Sequence, residues 1–265
     1  MKIGFIGCGN MGGALARAVC KSTGAASVML ANRTPEKAEA LAKELGCLVS
    51  DNQTIAAACD WIFLGVKPQM MAAMLADIAP ILEERESPFV LVTMAAGMSC
   101  ETIARLAGGS YPVVRIMPNT PAAIGKGMIQ VCSRGVSEAQ LDAFMQMLAP
   151  AGLLDQIDEG LIDAASSVSG CGPAFTYLFI EALADGAVAC GLPRAKALQY
   201  AAQMVAGSAQ MVLETGLHPG ALKDAVCSPG GTTIQGVRAL EANGLRSAAM
   251  EAVIAAYEKT LRLGK

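Results

Sequence analysis

The 265-residue chain is poor in the groups that usually announce chemistry: one histidine, one tryptophan, 4% aromatic and 16% charged residues. His218 is the one histidine, and no Ser/His/Asp order, Cys/His pair or metal-site spacing appears around it. No metal is therefore expected, and His218, just before Pro219 at a helix start, reads as structural. A basic excess is missing too: 20 Lys and Arg face 23 Asp and Glu, a net charge of −3. Nothing here marks a nucleic-acid partner. CxxC pairs are absent, and the cysteines, at 8, 20, 47, 59, 100, 132, 171, 190 and 227, are odd in number. They read as free thiols of a reducing, cytoplasmic compartment rather than a disulfide framework. No signal peptide is expected, because the chain begins directly on a strand pattern. The longest uncharged stretch, 197–213, is interrupted by Gln199, Gln203, Ser208 and Gln210. It reads as a helix buried in an oligomer, not a membrane span.

What the chain does have is apolar residues, 53% of the total, in two contrasting arrangements. Up to about residue 159, short apolar runs alternate with helical patterns. Strands are predicted at 2–7, 27–31, 60–64, 89–93, 112–117, 127–132 and 151–156. Helices are predicted at 10–22, 35–45, 68–84, 99–107 and 137–149, with Thr34 capping the second and Pro35 in its first turn. Uniformly apolar strands alternating with helices imply a parallel sheet covered on both faces. From 160 onward only helical patterns remain: 160–168, 173–190, 194–214, 219–226, 232–242 and 245–262. Glycine and proline clusters separate them. The expected fold class is α/β: a Rossmann-like dinucleotide-binding domain over 1–159, then an all-α domain over 160–265.

The first strand runs into "GCGNMG", with Gly7, Gly9 and Gly12 opening a helix. In a dinucleotide fingerprint the first glycine permits the tight turn. The second admits the pyrophosphate and the third lets helix pack on strand. The helix-start N–H groups then face the phosphates. Strand, turn and helix occur in the required order. About 20 residues on, an NAD binder carries an acid for the ribose 2′-hydroxyl. This chain has Asn32, Arg33 and Thr34, which suit a 2′-phosphate, so NADPH is favoured with NADH possible. Other segments at strand ends, where ligands of such sheets bind, are "GVKP" (65–68), "AAG" (95–97) and "RIMPNTP" (115–121).

A second glycine cluster, "SPGGTTIQ" (228–235), stops one helix and starts another, with Thr232 able to cap it. Backbone N–H groups at this start and the hydroxyls of Ser228, Thr232 and Thr233 suit a small carboxylate. No strong general base accompanies it. Reduction of a C=N bond fits that poverty, since a protonated imine already accepts hydride.

These blocks, with "SVSGCGPAF", "ALADGAVACGLPR" and "HPGALKDAVCSPGGTTIQGV", resemble Δ1-pyrroline-5-carboxylate reductases over essentially the whole chain. The resemblance implies reduction of 1-pyrroline-5-carboxylate to L-proline by NAD(P)H, the last step of proline biosynthesis. It places the cofactor on Gly7, Cys8, Gly9, Asn10, Met11 and Gly12, on Asn32, Arg33, Thr34 and Asn52, and on Gly65, Val66, Lys67, Pro68, Ala95, Ala96 and Gly97. It places the substrate carboxylate on Ser228, Gly230, Gly231, Thr232 and Thr233, with Thr233 near the ring nitrogen as the catalytic candidate. It also implies interlocked C-terminal helices, hence a homodimer or a higher oligomer of dimers. Two positions depart from the family pattern: Cys171 replaces the middle serine of SGSGPA, and "ETGLHPG" offers no glutamate next to the HPG segment. The competing readings are a β-hydroxyacid dehydrogenase or other imine reductase, for which Lys196 and Lys223 are the available lysines, and a non-catalytic nucleotide sensor.

Overall fold

A computed structural model describes residues 1–263; residues 264 and 265 of the expected helical domain lie outside the described residues. The chain divides into two compact units. One comprises residues 1–171 with the C-terminal stretch from Ala256, the other Gly172–Ala255.

The first unit runs β1 (Ile3–Ile6), α1 (Asn10–Thr23), β2 (Val28–Ala31), α2 (Pro35–Leu45), β3 (Leu48–Val49), α3 (Asn52–Ala58), β4 (Trp61–Leu64), α4 (Pro68–Glu83), β5 (Val90–Thr93) and α5 (Cys100–Leu106). It continues with β6 (Val113–Met117), β7 (Gly127–Arg134), α6 (Glu138–Leu148), β8 (Gly152–Gln156) and α7 (Ile162–Ser169). The strands form one sheet in the order β3-β2-β1-β4-β5-β6-β7-β8. Every residue of β1, β4 and β5 is buried, as strands covered on both faces must be. On one face Phe5 and Phe63 stack with centroids 4.3 Å apart, and Phe144 of α6 lies 6.0 Å from Phe63. On the other face Met71, Leu75 and Ile78 of α4 and Ile103 of α5 pack on Ile62 and Leu64.

The sheet is not uniformly parallel. β7 runs antiparallel to β6, with Arg115 opposite Cys132, and β8 follows β7 in parallel. The link between β6 and β7 holds a single 3-10 turn, Thr120–Ile124. It is shorter than the roughly dozen residues a parallel crossover needs, so the chain doubles back. The short elements β3 and α3 also lie outside the predicted set.

The second unit contains α8 (Gly172–Ala189), α9 (Arg194–Thr215), α10 (Pro219–Ala225), α11 (Thr232–Ala242) and the start of α12 (Leu245–Leu263). Its cluster of buried residues consists of Ala184, Ala197 and Ala201, where α8 meets α9. Tyr177, Leu178, Leu198, Tyr200, Met204, Met211 and Leu213 are exposed. Among the described residues no helix is long and apolar enough to cross a membrane.

Candidate functional site

The first glycine turn shows what each glycine is for. Gly7 has φ +105°, and a Cβ there would lie 2.6 Å from the Gly65 carbonyl. Gly12 is pressed onto the same turn, where a Cβ would meet the Gly7 carbonyl oxygen at 2.1 Å. Around Gly9, by contrast, a Cβ would meet nothing within 4 Å. Gly9 is the N-cap of α1 and supplies no side-chain cap, so the first-turn N–H groups have no side-chain cap to satisfy them. Backbone bonds fix the turn across three strands: Gly7 N–H donates to Ala31 C=O at 2.8 Å and Gly65 N–H to Ile6 C=O at 2.8 Å. The strand order reverses here, the place where open α/β sheets bind ligands.

A cleft of about 870 Å³ opens above this turn. Gly7, Gly9, Asn32, Arg33, Thr34, Asn52, Gly65, Val66 and Lys67 all line it. Asn32 braces the turn: its Oδ1 accepts the Cys8 N–H at 2.9 Å and its Nδ2 donates to Thr34 C=O at 2.9 Å. The Arg33 guanidinium has no ion-pair partner among the described residues, and the Thr34 hydroxyl makes no cap bond to α2, contrary to its expected role. One cationic and one hydroxyl side chain are thus available at the end of β2. The open side of Gly9, the uncapped α1 and this cation fit a phosphorylated dinucleotide.

Other predicted cofactor residues sit behind or beside the cleft. Asn10, Met11 and Gly12 begin α1, and Pro68 is the first residue of α4. Cys8 is buried with its thiol 3.5 Å from Ala31 C=O, and burial pushes that thiol up to about 12, so it is inert near neutrality. Ala95–Gly97 forms the turn after β5; Thr93 Oγ1 accepts the Ala95 N–H at 3.3 Å and Gly97 has φ +72°. Lys37, Ser50, Gln53, Met70 and Met74 line the cleft but were not foreseen. The local signal for that region was Asp51, whose carboxylate accepts the Thr54 N–H at 2.6 Å and caps α3.

The "RIMPNTP" segment is committed inward. Arg115 is buried, with a guanidinium nitrogen 2.7 Å from Asp163 and another 3.5 Å from Glu159. Asn119 Nδ2 donates to Ser169 C=O at 2.9 Å and its Oδ1 accepts the Met128 N–H at 3.0 Å. Arg115 and Asn119 thereby hold α7 to the sheet.

In the helical unit the second glycine cluster forms a tight turn. Gly231 N–H donates to Ser228 C=O at 3.0 Å, and Gly230 has φ +69°. The N-cap of α11 is Gly231, not Thr232, and no side chain caps the helix. Ser228, Gly230, Thr232 and Thr233 are all exposed and Gly231 is half-buried. An uncapped helix start flanked by hydroxyls can hold a small carboxylate. His218 caps α10, its Nδ1 accepting the Gly220 N–H at 3.0 Å, which confirms its structural role. Lys223 pairs with Asp224. All nine cysteines are free.

A glycine turn at a topological switch point, opening on a cleft with a cation at the second strand, defines a nicotinamide-dinucleotide oxidoreductase. Residues 2–97 match the family model "NADP oxidoreductase coenzyme F420-dependent", and 159–263 match "Pyrroline-5-carboxylate reductase dimerisation". The pyrroline-5-carboxylate reductase of Escherichia coli is 42% identical, covering 100% of this chain and 98% of that protein. The enzyme of Pisum sativum is 38% identical, covering 98% and 95%. The crystal structure of Plasmodium falciparum pyrroline carboxylate reductase with NADP bound superposes with a TM-score of 0.89 at 32% identity, over 100% and 98% of the two chains. The chain belongs to the pyrroline-5-carboxylate reductase family.

Proposed function

We propose that the chain reduces 1-pyrroline-5-carboxylate to L-proline with NADPH, accepting NADH less well, as the final step of proline biosynthesis. The observation that carries this reading is the pairing of two features in one family member. One is the Gly7–Gly9–Gly12 turn, with Arg33 unpaired at its rim. The other is the uncapped, hydroxyl-flanked start of α11.

In this reading Gly7 through Gly12 receive the pyrophosphate, and Arg33, with Asn32 and Thr34, receives the 2′-phosphate. Asn52, Gly65–Pro68 and Ala95–Gly97 complete the cofactor bed. NADPH bound there supplies the hydride. The first-turn N–H groups of α11, with Ser228, Gly230, Gly231, Thr232 and Thr233, hold the substrate carboxylate by dipole and hydrogen bonds without a cation. Thr233 Oγ1 hydrogen-bonds the ring nitrogen, orienting the imine carbon and stabilising the amine that forms. The electrophile is already protonated at nitrogen, so a chain with one histidine suffices. The division of labour is a dinucleotide-binding domain over 1–159 and a substrate-binding, dimerising domain over 160–265. The working enzyme is a homodimer or a multiple of it, in the cytoplasm.

The test is direct. Purified protein mixed with NADPH and 1-pyrroline-5-carboxylate should oxidise the cofactor, read at its near-ultraviolet absorbance, with proline formed in equal amount. Cofactor binding without turnover would sink the assignment, and turnover of a β-hydroxyacid instead would replace it.

A further inference from the structure

Two of the nine thiols are adjacent in space though distant in sequence. Cys100, the first residue of α5, and Cys132, in β7, bring their sulfurs to 4.0 Å. Their surroundings are charged, although the pair sits in an apolar layer with Ile103 and Ile162. Glu159 Oε1 accepts the Cys100 N–H at 2.7 Å. Arg115 faces Cys132 across the β6–β7 ladder, is 4% exposed, and its Nε has no hydrogen-bond partner. Cys100, Cys132 and Glu159 lie close enough together to enclose a cation. However, Glu159 already accepts the Cys100 N–H, and a fixed guanidinium stands 3.5 Å from it. That guanidinium, held by Glu159 and Asp163, already supplies the cation these carboxylates pair with, which disfavours a metal ion.

We propose that Cys100 and Cys132 form a reversible dithiol–disulfide pair, oxidised by a peroxide, whose closure weakens binding of the dinucleotide. Cys132 is the attacking sulfur. It is the more accessible of the two, at 6% against 1%. The hydrogen bond shared with Cys100 shifts its thiol down, against burial and the nearby Glu159 carboxylate, while the Cys100 thiol is shifted up. The Cys132 thiolate attacks one peroxide oxygen and the O–O bond breaks. The departing hydroxide takes up a proton, leaving a sulfenic acid on Cys132. The Cys100 sulfur then attacks the Cys132 sulfur, and the displaced hydroxide leaves as water with the Cys100 proton. Two thiols and one hydrogen peroxide give one disulfide and two waters. The two sulfurs together lose two electrons to the peroxide.

Closing the bond requires the sulfurs to approach by about 2 Å. Cys100 follows Ser99, the N-cap of α5, which in turn follows the Ala95–Gly97 turn. Drawing the helix start toward β7 therefore moves the backbone that, in the function proposed above, lies under the nicotinamide. The effect on cofactor rests on that reading; the chemistry of the pair does not.

The experiment uses the full-length enzyme, reduced and then treated with stoichiometric hydrogen peroxide, followed by peptide mass spectrometry and NADPH titration. A Cys100–Cys132 cross-linked peptide should form, with NADPH affinity reduced by about tenfold to a hundredfold and restored by dithiothreitol. Cys132→Ser should keep its affinity under the same peroxide, and Cys190→Ser, at an exposed position, should behave as the parent. No cross-linked peptide in the parent enzyme would overturn the pair, whatever the variants do. A cross-link with unchanged NADPH affinity would overturn the coupling. Failure of the reduced enzyme to bind NADPH would instead overturn the cofactor site itself.

Discussion

The glycines that hold the first turn and those inside the long helices live in opposite circumstances. In the sheet unit Gly7, Gly12 and Gly65 are jammed against backbone, with a Cβ at each meeting carbonyl atoms at 2.1–2.6 Å. In the helical unit Gly186, Gly207 and Gly236 sit within helices and a Cβ on any of them would meet nothing within 4 Å. The largest buried side chains sit in the sheet unit, although Ile124 and Leu153 there are exposed. Phe5, Phe63, Phe144, Leu15 and Met71 are fully buried in the first unit, while Tyr177, Leu178 and Leu213 of the second are 59%, 67% and 73% exposed. A sheet unit closed on its own core can hold a cofactor as a single chain. A helical unit whose buried cluster is three alanines leaves its apolar faces for another surface to cover. The match to a dimerisation domain over 159–263 supports a second copy of the chain in that place.

The comparison breaks most readily at Leu178. A charge placed there would be harmless on a water-facing helix and ruinous in an interface. Leu178→Asp should weaken the dimer by about 30- to 1000-fold, the range of a central interface residue. Light scattering should then show monomer at micromolar concentration with turnover lost, while the sheet unit still binds NADPH. A fully active dimer would show that this face of α8 meets water and not a partner.

Next in size is Thr233→Ala, which tests whether the helical unit carries chemistry as well as assembly. We expect kcat/KM to fall by about tenfold to a thousandfold, with NADPH affinity nearly unchanged. If Thr233 only supports the start of α11, Tm would fall and turnover of the folded enzyme would persist.

On the sheet side, Arg33→Asp should cost NADPH about 1.5–3 kcal/mol of binding, roughly tenfold to 150-fold, and spare NADH. An equal loss for both cofactors would show that the unpaired guanidinium does not read the 2′-phosphate.

How far the sequence carried differs between the units for physical reasons. The turn at Gly7–Gly12 was legible because every requirement is local: an apolar strand, three glycines and a helix, all within residues 3–23. Most helix bounds of both units were legible because proline and glycine punctuate them. β3 escaped because two residues, Leu48 and Val49, are too short a run to show any periodicity, and with it went Ser50 and Gln53 of the cleft. The reversal at β7 was in principle readable, since the link from Met117 to Gly127 is too short for a crossover, but apolar content alone is blind to strand direction. The role of Arg115 was invisible. Its place inside an apolar strand names no partner until Asp163, 48 positions on, is found beside it.

The smallest expected effect distinguishes the units by their thiols. Burial raises Cys8 to about 12 and Cys20 and Cys59 to about 11, from an ordinary value of 9.0, and all three belong to the sheet unit. In the unfolded chain these groups release their protons near pH 9, while in the folded chain they keep them. Between those values the folded state binds more protons, so stability falls as pH rises. The contribution is whole below pH 9 and is lost between about pH 9 and 12. Differential scanning measurements should therefore show Tm declining from pH 8.5 to 10.5. Cys59→Ala should start lower, because it leaves a small void behind Gly4, yet decline less steeply over the same interval. Cys190→Ser, exposed in the helical unit, should follow the parent curve. A Cys59→Ala curve parallel to that of the parent would mean that the alkaline loss arises elsewhere and that the buried thiols of the sheet unit are not its source.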